Sequence, residues 1–230
     1  MRTLLAHLEK SVKNDWTIHD AFRVLPRIHP PLMKIITLVA IVGTLALVNS
    51  KGQDIGKPAP AFTAENLRGE KISLKQLGGK IVVLEWVNFS CPFVKKHYSS
   101  GNLPKLQTDY QAKDVVWVSI NSGAKGKQGY HEPDPMAKIA EAEGSKAAHF
   151  VMDPTGEIGK AYAAKFTPHL FIINKEGVLV YDGAIDSKAS TDVADVESAE
   201  KFFVAALEAT LAGGEVKNAK NKPYGCGVKY

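Results

Sequence analysis

The feature that most constrains the fold is a short apolar run that leads directly to a cysteine and a proline. The run IVVL at residues 81–84 is typical of a central strand that is covered on both faces. Pro92 suits the first turn of a helix, because its missing N–H costs nothing there. A cysteine at this junction lies against the helix N-terminus, whose dipole favours thiolate over thiol. The sequence therefore predicts a reactive thiol at Cys91, with a small buried apolar residue as the alternative.

The distribution of charge excludes one class of function. The formal net charge is +5, but residues 1–50 hold six Lys/Arg against three Asp/Glu, which leaves residues 51–230 at +2. A domain so nearly balanced lacks the polybasic surface that nucleic-acid binding requires. The sequence also has no phosphate loop and no dinucleotide fingerprint. We therefore expect neither a nucleic-acid partner nor a bound cofactor.

The N-terminal region carries a targeting pattern. Residues 35–48 contain no charge, but fourteen residues are too few to span a bilayer comfortably. Met33 and Lys34 precede this run and small residues follow it, which is the layout of a secretory signal peptide. We interpret residues 1–32 as an N-terminal extension and residues 33–50 as the signal segment. The expected location is periplasmic or otherwise extracytoplasmic, and the alternatives are an uncleaved membrane anchor and a core helix of a cytosolic protein.

From residue 51 onward the chain predicts one domain and a tail. Residues 51–213 alternate short apolar strands with amphipathic helices, which favours a mostly parallel sheet closed by an antiparallel hairpin. The hairpin is predicted at residues 167–185, and a final helix at about residues 198–212. Residues 214–230 form a tail that is rich in Lys and Asn and carries Cys226 between two glycines. The fold class is therefore α/β, with a central mixed sheet flanked by helices.

Four segments carry a resemblance to a known family: EWVNFSCPFVKKHY, DPTGEIGKAY, TPHLFIINKEGVLVYDGAID and YGCGVKY. Together they resemble the thioredoxin superfamily and, more closely, the peroxiredoxin-like redoxins related to alkyl hydroperoxide reductase and thiol-specific antioxidant proteins. The resemblance covers about residues 56–230 and implies a thioredoxin-like fold. It also implies a cis Thr167-Pro168 bond beside Cys91, in a loop whose backbone groups pair with extended polypeptide substrates.

The resemblance makes Glu85 a further candidate. It stands six residues before Cys91, where thioredoxins place a buried carboxylate that carries a proton for the cysteine pair. Between Leu84 and Trp86 this carboxylate would be desolvated, which would raise its pKa toward that of a useful base. The alternative is a strand residue that faces solvent.

The departures from the two families are equally informative. A thioredoxin has a second cysteine three residues after the first, where this chain has Val94. A typical peroxiredoxin has Thr or Ser three residues before its peroxidatic cysteine, where this chain has Asn88, and it uses a late arginine, whereas the last arginine here is Arg68. The motif alignment matches Cys91 to the first thioredoxin cysteine. Efficient peroxidase chemistry is therefore not expected.

Cys226 is the remaining intramolecular partner for Cys91. Its glycine neighbours suggest a flexible tail that brings it to Cys91, either to resolve a catalytic intermediate or to form a structural bridge. The unpaired state of both thiols is the third alternative. Lys95, Lys96 and His97 are expected on a solvent-exposed helix face, although Lys95 could support the thiolate.

We interpret the chain as a thiol-dependent oxidoreductase with antioxidant or thiol–disulfide exchange activity. Cys91 is the nucleophile, Cys226 the resolving thiol, Pro168 the substrate-side clamp and Glu85 a proton carrier. The expected partners are a thioredoxin-like thiol reductant and a protein disulfide or hydroperoxide substrate. The alternatives are a slow thiol peroxidase and a non-enzymatic binding domain with a structural Cys91–Cys226 bridge. No metal site is expected, because one cysteine in the motif gives too few ligands, even if His97 or His169 joins it.

Overall fold

A computed structural model describes residues 54–230 of the chain. The extension predicted at residues 1–32 and the signal segment predicted at residues 33–50 lie outside these residues. The helices and strands follow in the order β1 (Thr63–Glu65), β2 (Lys71–Ser73), β3 (Val82–Trp86), α1 (Pro92–Ser99), α2 (Asn102–Gln111), β4 (Val116–Asn121), α3 (Pro133–Ala142), β5 (His149–Met152), α4 (Glu157–Ala161), β6 (Phe166–Thr167), β7 (His169–Ile173), β8 (Leu179–Gly183), α5 (Asp195–Ser198), α6 (Phe202–Leu211) and β9 (Cys226–Gly227).

The central sheet has five strands in the order β5-β4-β3-β7-β8. Strands β3, β4 and β5 run parallel, and β7 and β8 add an antiparallel hairpin on the other side of β3. Every residue of β3 is buried, which confirms the central strand predicted from its apolar run. The predicted mixed α/β sheet is therefore confirmed.

Two apolar clusters hold the helices against the sheet. The first lies under α1, α2, α3 and α6 and contains the buried side chains Val83, Cys91, Val94, Leu103, Trp117, Met136, Ile172, Phe203 and Leu207. The second lies on the opposite face, against α4 and the β1–β2 hairpin, and contains Ile72, Val82, Leu84, Trp86, Val118, Ile158, Tyr162 and Phe171. The alternation of β3 side chains between the two clusters follows from the period of two in a strand.

The final helix begins later than the sequence predicts. Ala199 is extended, with φ −72° and ψ 144°, and it separates the short α5 from α6. Helix α6 then starts at Phe202 and buries Phe203 and Leu207 against the sheet, as the four-residue repeat predicts. Within residues 54–230 no helix is long and apolar enough to cross a membrane.

The tail packs along the domain, whereas its glycines suggested flexibility. Backbone hydrogen bonds join Asp182 N to Ala219 O (2.9 Å), Val228 N to Lys165 O (3.0 Å) and Ala124 N to Lys229 O (2.7 Å). The Tyr230 hydroxyl donates to Ala164 O at 2.7 Å. These contacts fix the path of the tail past strand β6, and β6 leads directly into Pro168.

Candidate active site

Cys91 stands at the start of helix α1. The chain leaves β3 through a turn in which Ser90 N donates to the Asn88 side chain (2.9 Å) and Cys91 N donates to Asn88 O (2.9 Å). Cys91 is the N-cap residue and Pro92 occupies the first helical turn, as the sequence predicts. Its side chain is 0 % exposed. The helix N-terminus therefore directs its dipole at a thiol that is shielded from water.

Strand β9 brings Cys226 to this thiol. Strands β6 and β9 pair in an antiparallel register that places Cys226 opposite Thr167 and Gly227 opposite Phe166. The Cys91 thiol donates a hydrogen bond to Thr167 O at 3.1 Å. The thiols of Cys91 and Cys226 are also in hydrogen-bonding contact with each other, and both are free. Two cysteines that lie 135 residues apart in the sequence thus form one dithiol pair.

The two thiols have opposite acidities. Burial raises the pKa of Cys91, but hydrogen bonds to its sulfur from the side chains of Cys226 and Thr167 outweigh burial, and its pKa falls below the ordinary value. The Val94 N–H at the helix start lowers it further. Burial and the neighbouring Cys91 together raise the pKa of Cys226 to about 11. Of the two thiols, Cys91 is therefore the one that ionises more readily.

The approach of the tail depends on a glycine. Gly225 has φ +129°, and a Cβ built on it would lie 2.0 Å from Thr167 O. The Thr167-Pro168 bond is cis, as the resemblance implies. Gly225 thus allows the backbone before Cys226 to touch the loop beside Cys91. From the sequence, Gly225 indicated only a flexible segment beside Cys226, although a glycine can also mark a place where two backbones lie close together.

Tyr224 anchors the tail on its other side. Its hydroxyl donates to Asp186 Oδ1 at 2.5 Å and lies 3.1 Å from His97 Nε2. Its ring packs against Phe93 of helix α1, with 5.8 Å between the ring centroids. Lys96 Nζ lies 5.7 Å from the centroid of the same ring. Tyr224 therefore ties the segment before Cys226 to the helix that begins at Cys91, and sequence reasoning missed it.

The expectation of a solvent-exposed face after Cys91 is wrong for two of its three residues. Lys95 is exposed, but Lys96 is 1 % and His97 is 0 % exposed. Lys96 Nζ donates to Lys188 O at 2.9 Å, and Asn102 Nδ2 donates to His97 Nδ1 at 2.9 Å. Because burial disfavours its charged form, the pKa of His97 falls to about 4. The packed tail and the segment near Lys188 cover this face, which the helix pattern alone could not reveal.

Glu85 is completely buried beneath helices α1 and α2. Its carboxylate accepts hydrogen bonds from Trp117 Nε1 (2.7 Å), Tyr98 Oη (2.8 Å), Gln107 Nε2 (2.9 Å) and Ser119 Oγ (3.1 Å). Burial raises its pKa above the ordinary value, and these hydrogen bonds oppose the shift. The solvent-facing alternative is therefore excluded. Cys91 and Cys226 are not among the four hydrogen-bond donors to Glu85.

His169 has a structural environment. It is 2 % exposed, its Nε2 lies 2.8 Å from Asp182 Oδ1, and Lys165 N donates to its Nδ1 at 3.4 Å. Within residues 54–230 no group of three or more His, Cys, Asp or Glu side chains could hold a metal ion.

Arg68, which lies far from Cys91 in sequence, forms a salt bridge with Glu70 at 3.0 Å.

Residues 55–182 match the family model described as the AhpC/TSA family. The chain belongs to the AhpC/TSA family. A curated relative, the thiol-disulfide oxidoreductase ResA of Bacillus thuringiensis subsp. konkukian, is 27% identical over 158 residues, which cover 66% of this chain and 86% of the relative.

Two solved structures resemble this AhpC/TSA member. An uncharacterized conserved protein from Geobacillus kaustophilus is 30% identical, with a TM-score of 0.64, and the match covers 77% of this chain and 92% of that one. A putative thiol:disulfide interchange protein DsbE from Chlorobium tepidum has a TM-score of 0.50 and 22% identity, over 70% of this chain and 99% of that one. The predicted thioredoxin-like fold and the predicted thiol-based oxidoreductase class are confirmed.

Proposed function

We propose that this AhpC/TSA member catalyses thiol–disulfide exchange through a reversible disulfide between Cys91 and Cys226. The observation that carries the proposal is the contact between the two thiols, which β6 and β9 hold in place. A dithiol with one acidic and one weakly acidic thiol is the arrangement that exchange chemistry requires. Here the second thiol comes from the tail, because Val94 stands where a thioredoxin has it.

The exchange proceeds in two balanced steps. The Cys91 thiolate attacks one sulfur of a substrate disulfide, a mixed disulfide forms, and the departing substrate thiolate takes up a proton. Cys226 then loses its proton and attacks the Cys91 sulfur, which releases the second substrate thiolate. The substrate gains two electrons and two protons. The protein supplies both electrons and the Cys226 proton as the Cys91–Cys226 disulfide forms, and solvent supplies the second proton. A thiol reductant then reduces the Cys91–Cys226 disulfide and restores the dithiol.

Two further residues have proposed roles in these steps. Pro168 presents the loop against which an extended substrate lies, a role supported by the position of Thr167 O beside the Cys91 thiol. Glu85 holds a proton when Cys91 is ionised, a role supported by its burial and by the raised pKa of its carboxyl. Glu85 would act through the interior of the domain, because its hydrogen-bond partners belong to α1, α2 and β4.

The setting of the reaction is part of the proposal. The signal pattern at residues 33–50 supports export, with a retained anchor as the alternative. ResA of Bacillus thuringiensis is named a thiol-disulfide oxidoreductase, which supports a protein disulfide as substrate. The proposed reductant is a thioredoxin-like dithiol donor. An oxidising compartment would make such a donor necessary for turnover.

The experiment that tests the proposal traps the mixed disulfide. Cys226→Ser should accumulate a covalent complex with a peptide disulfide, because the second step is blocked, and Cys91→Ser should accumulate none. Ser99→Ala changes an exposed residue of the same helix and serves as the control that should turn over normally. Equal trapping by Cys91→Ser would contradict the assignment of the nucleophile. A bridge that resists mild reductant, with no reduction of any disulfide substrate, would favour the structural alternative.

Slow peroxidase activity is the second candidate. The lowered pKa of Cys91 favours it, since the thiolate is the form that peroxide oxidises to sulfenate. Cys226 would then condense with the sulfenate and release water. The described residues contain one arginine, Arg68, which is paired with Glu70, so we expect peroxide consumption to be much slower than disulfide reduction. Both rates can be measured on the same preparation.

A further inference from the structure

The two sulfurs of the dithiol pair differ in their access to solvent. Cys91 is 0 % exposed and belongs to the same buried cluster as Phe89 and Val94. Cys226 is half-buried, on a two-residue strand at the edge of the domain, and the following Gly227 is exposed. In the folded protein Cys226 is therefore the more accessible of the two cysteines.

The surroundings of the two sulfurs agree with this difference. The paired strands β6 and β9 lie over Cys91, and Thr167 O lies 3.1 Å from its thiol. A hollow of about 370 Å³, lined by Phe166, Pro223 and Gly225 among others, opens beside the tail segment that carries Cys226.

We infer that a thiol reductant attacks the oxidised protein at the sulfur of Cys226, with Cys91 as the leaving thiolate. This assignment rests on the proposed function, because it requires the Cys91–Cys226 disulfide. The reductant thiolate forms a bond to Cys226 as the Cys226–Cys91 bond breaks, and the electron pair of that bond leaves on Cys91. A second reductant thiol then displaces Cys226, which takes up a proton, and the reductant becomes a disulfide.

The acidities of the thiols agree with the geometry. The thiol of lower pKa leaves faster in disulfide exchange. The pKa of Cys91 is lowered and that of Cys226 is raised to about 11, so expulsion of Cys91 is favoured over expulsion of Cys226. The more accessible thiol of the pair, Cys226, therefore has a role of its own: it receives the reductant, in addition to resolving the mixed disulfide formed at Cys91.

The test uses the oxidised wild-type protein and reduced glutathione as the probe. After a brief reaction the mixture is quenched with acid, free thiols are alkylated, and the two cysteine peptides are identified by mass spectrometry. We expect glutathione on Cys226 and the alkyl group on Cys91, in at least tenfold excess over the reverse pattern. Glutathione on Cys91, or equal labelling of both, would overturn the inference.

A second measurement separates this inference from the proposed function. Before glutathione is added, the oxidised protein is alkylated without reductant to show whether the internal disulfide exists. If no such disulfide forms, the proposed function fails and the inference fails with it. If the disulfide forms and glutathione adds at Cys91, only the inference fails.

An independent observation concerns the charge beside the same segment. A second hollow, of about 470 Å³, adjoins the first through Phe166, Lys222 and Pro223, and Lys165 and Lys220 also line it. Lys165 and Lys222 are exposed and form no salt bridge within the described residues. The two carboxylates that line these hollows are largely buried. The surface beside Cys226 is therefore positive.

The two buried carboxylates are Asp182 and Asp186. Asp182 is 8 % exposed, contacts His169 at 2.8 Å and forms a salt bridge with Lys220 at 3.3 Å. Asp186 is 2 % exposed and accepts the Tyr224 hydroxyl. We propose that the redox partner is a protein whose cysteine lies in an acidic segment, and that this segment docks along the two hollows. This proposal also rests on the proposed function.

Synthetic dithiol peptides with Glu or Lys flanking the cysteines test the charge preference. The Glu peptide should reduce the oxidised protein about tenfold faster than the Lys peptide, and added salt should diminish the difference. The double variant Lys165→Glu with Lys222→Glu should abolish it. Lys75→Glu with Lys175→Glu, at the opposite end of the sheet, carries the same net charge and should retain it. Equal rates for both peptides with wild type would overturn the proposal, whereas no reduction by either would count against the proposed function.

Discussion

Replacement of Gly225 by alanine should separate the dithiol pair without removing either sulfur. A Cβ on residue 225 would lie 2.0 Å from Thr167 O and 2.8 Å from Thr167 C. Because non-bonded heavy atoms pack at about 3.5 Å, the tail must retreat from the loop by about 1.5 Å. Bridged cysteines require Cβ atoms about 3.5–4.5 Å apart, a window narrower than this displacement. The variant should therefore form its disulfide only under strain.

The size of the shift in reduction potential follows from the backbone conformation of residue 225 as well as from its contact with Thr167 O. Alanine at φ +129° is sterically disfavoured, and such backbone strain costs about 1–3 kcal/mol. The oxidised form carries this strain, because the disulfide holds the tail in place, whereas the reduced form can release it. For a two-electron couple this corresponds to a reduction potential about 20–65 mV more positive than that of the wild type. The pKa of Cys91 should rise as well, because the hydrogen bond from Cys226 is lost.

The assay is a redox titration in glutathione buffers, with alkylation to count free thiols at each potential. Gly227→Ala is the matched control: it adds the same methyl group on the other side of Cys226, where the nearest atom to a built Cβ is Lys165 O at 3.9 Å. The control should keep the wild-type potential. The reasoning is refuted if Gly225→Ala also keeps it, or if the two variants shift equally.

Three further predictions concern hydrogen bonds and protons. Cys226→Ala should raise the pKa of Cys91 more than Cys226→Ser does, since the serine hydroxyl still donates; the ultraviolet absorbance of the thiolate against pH measures this, and equal pKa values would contradict it. His97 has a folded-state pKa of about 4, below its ordinary 6.5, so the unfolded state binds more protons between these values and stability falls on acidification. The contribution of His97 to this loss is about 2 kcal/mol between about pH 7 and about pH 5, and urea unfolding of His97→Gln should show a loss smaller than that of the wild type by this amount. The raised pKa of Glu85 predicts the opposite slope: its contribution to stability is lost as pH rises from its ordinary value of 4.5 through the folded-state value. Glu85→Gln should abolish that loss and slow the resolution step, and an unchanged stability slope together with an unchanged rate would remove Glu85 from the mechanism.

Much of the fold was open to prediction, because local patterns agree with the final packing. The apolar run of β3, the Pro92 helix start and the hairpin of β7 and β8 each have a periodic or capping signal in the sequence. Cys91 is a candidate reactive thiol for the same reason, because it lies between the end of a predicted strand and a proline that marks the start of a helix.

The tail was not open to prediction in the same way. Strand β9 has two residues, too few to show the alternation that marks a strand. Burial of Lys96 and His97 depends on residues more than eighty positions later, including Lys188 and Tyr224. The close approach at Gly225 is likewise a tertiary contact, and glycine in a lysine-rich segment indicates mobility as readily as contact.

The pairing of β9 with β6 has a consequence for the order in which reactivity arises during folding. Helix α1 and its cysteine can assemble with the sheet before Cys226 has been synthesised, because 135 residues separate the two sulfurs. Until the tail docks, Cys91 lacks the hydrogen bonds from Cys226 that lower its pKa. Before the tail docks, Thr167 and the Val94 N–H alone lower the pKa of Cys91; the docking of the tail adds the hydrogen bonds from Cys226 and at the same time shields the thiol from solvent.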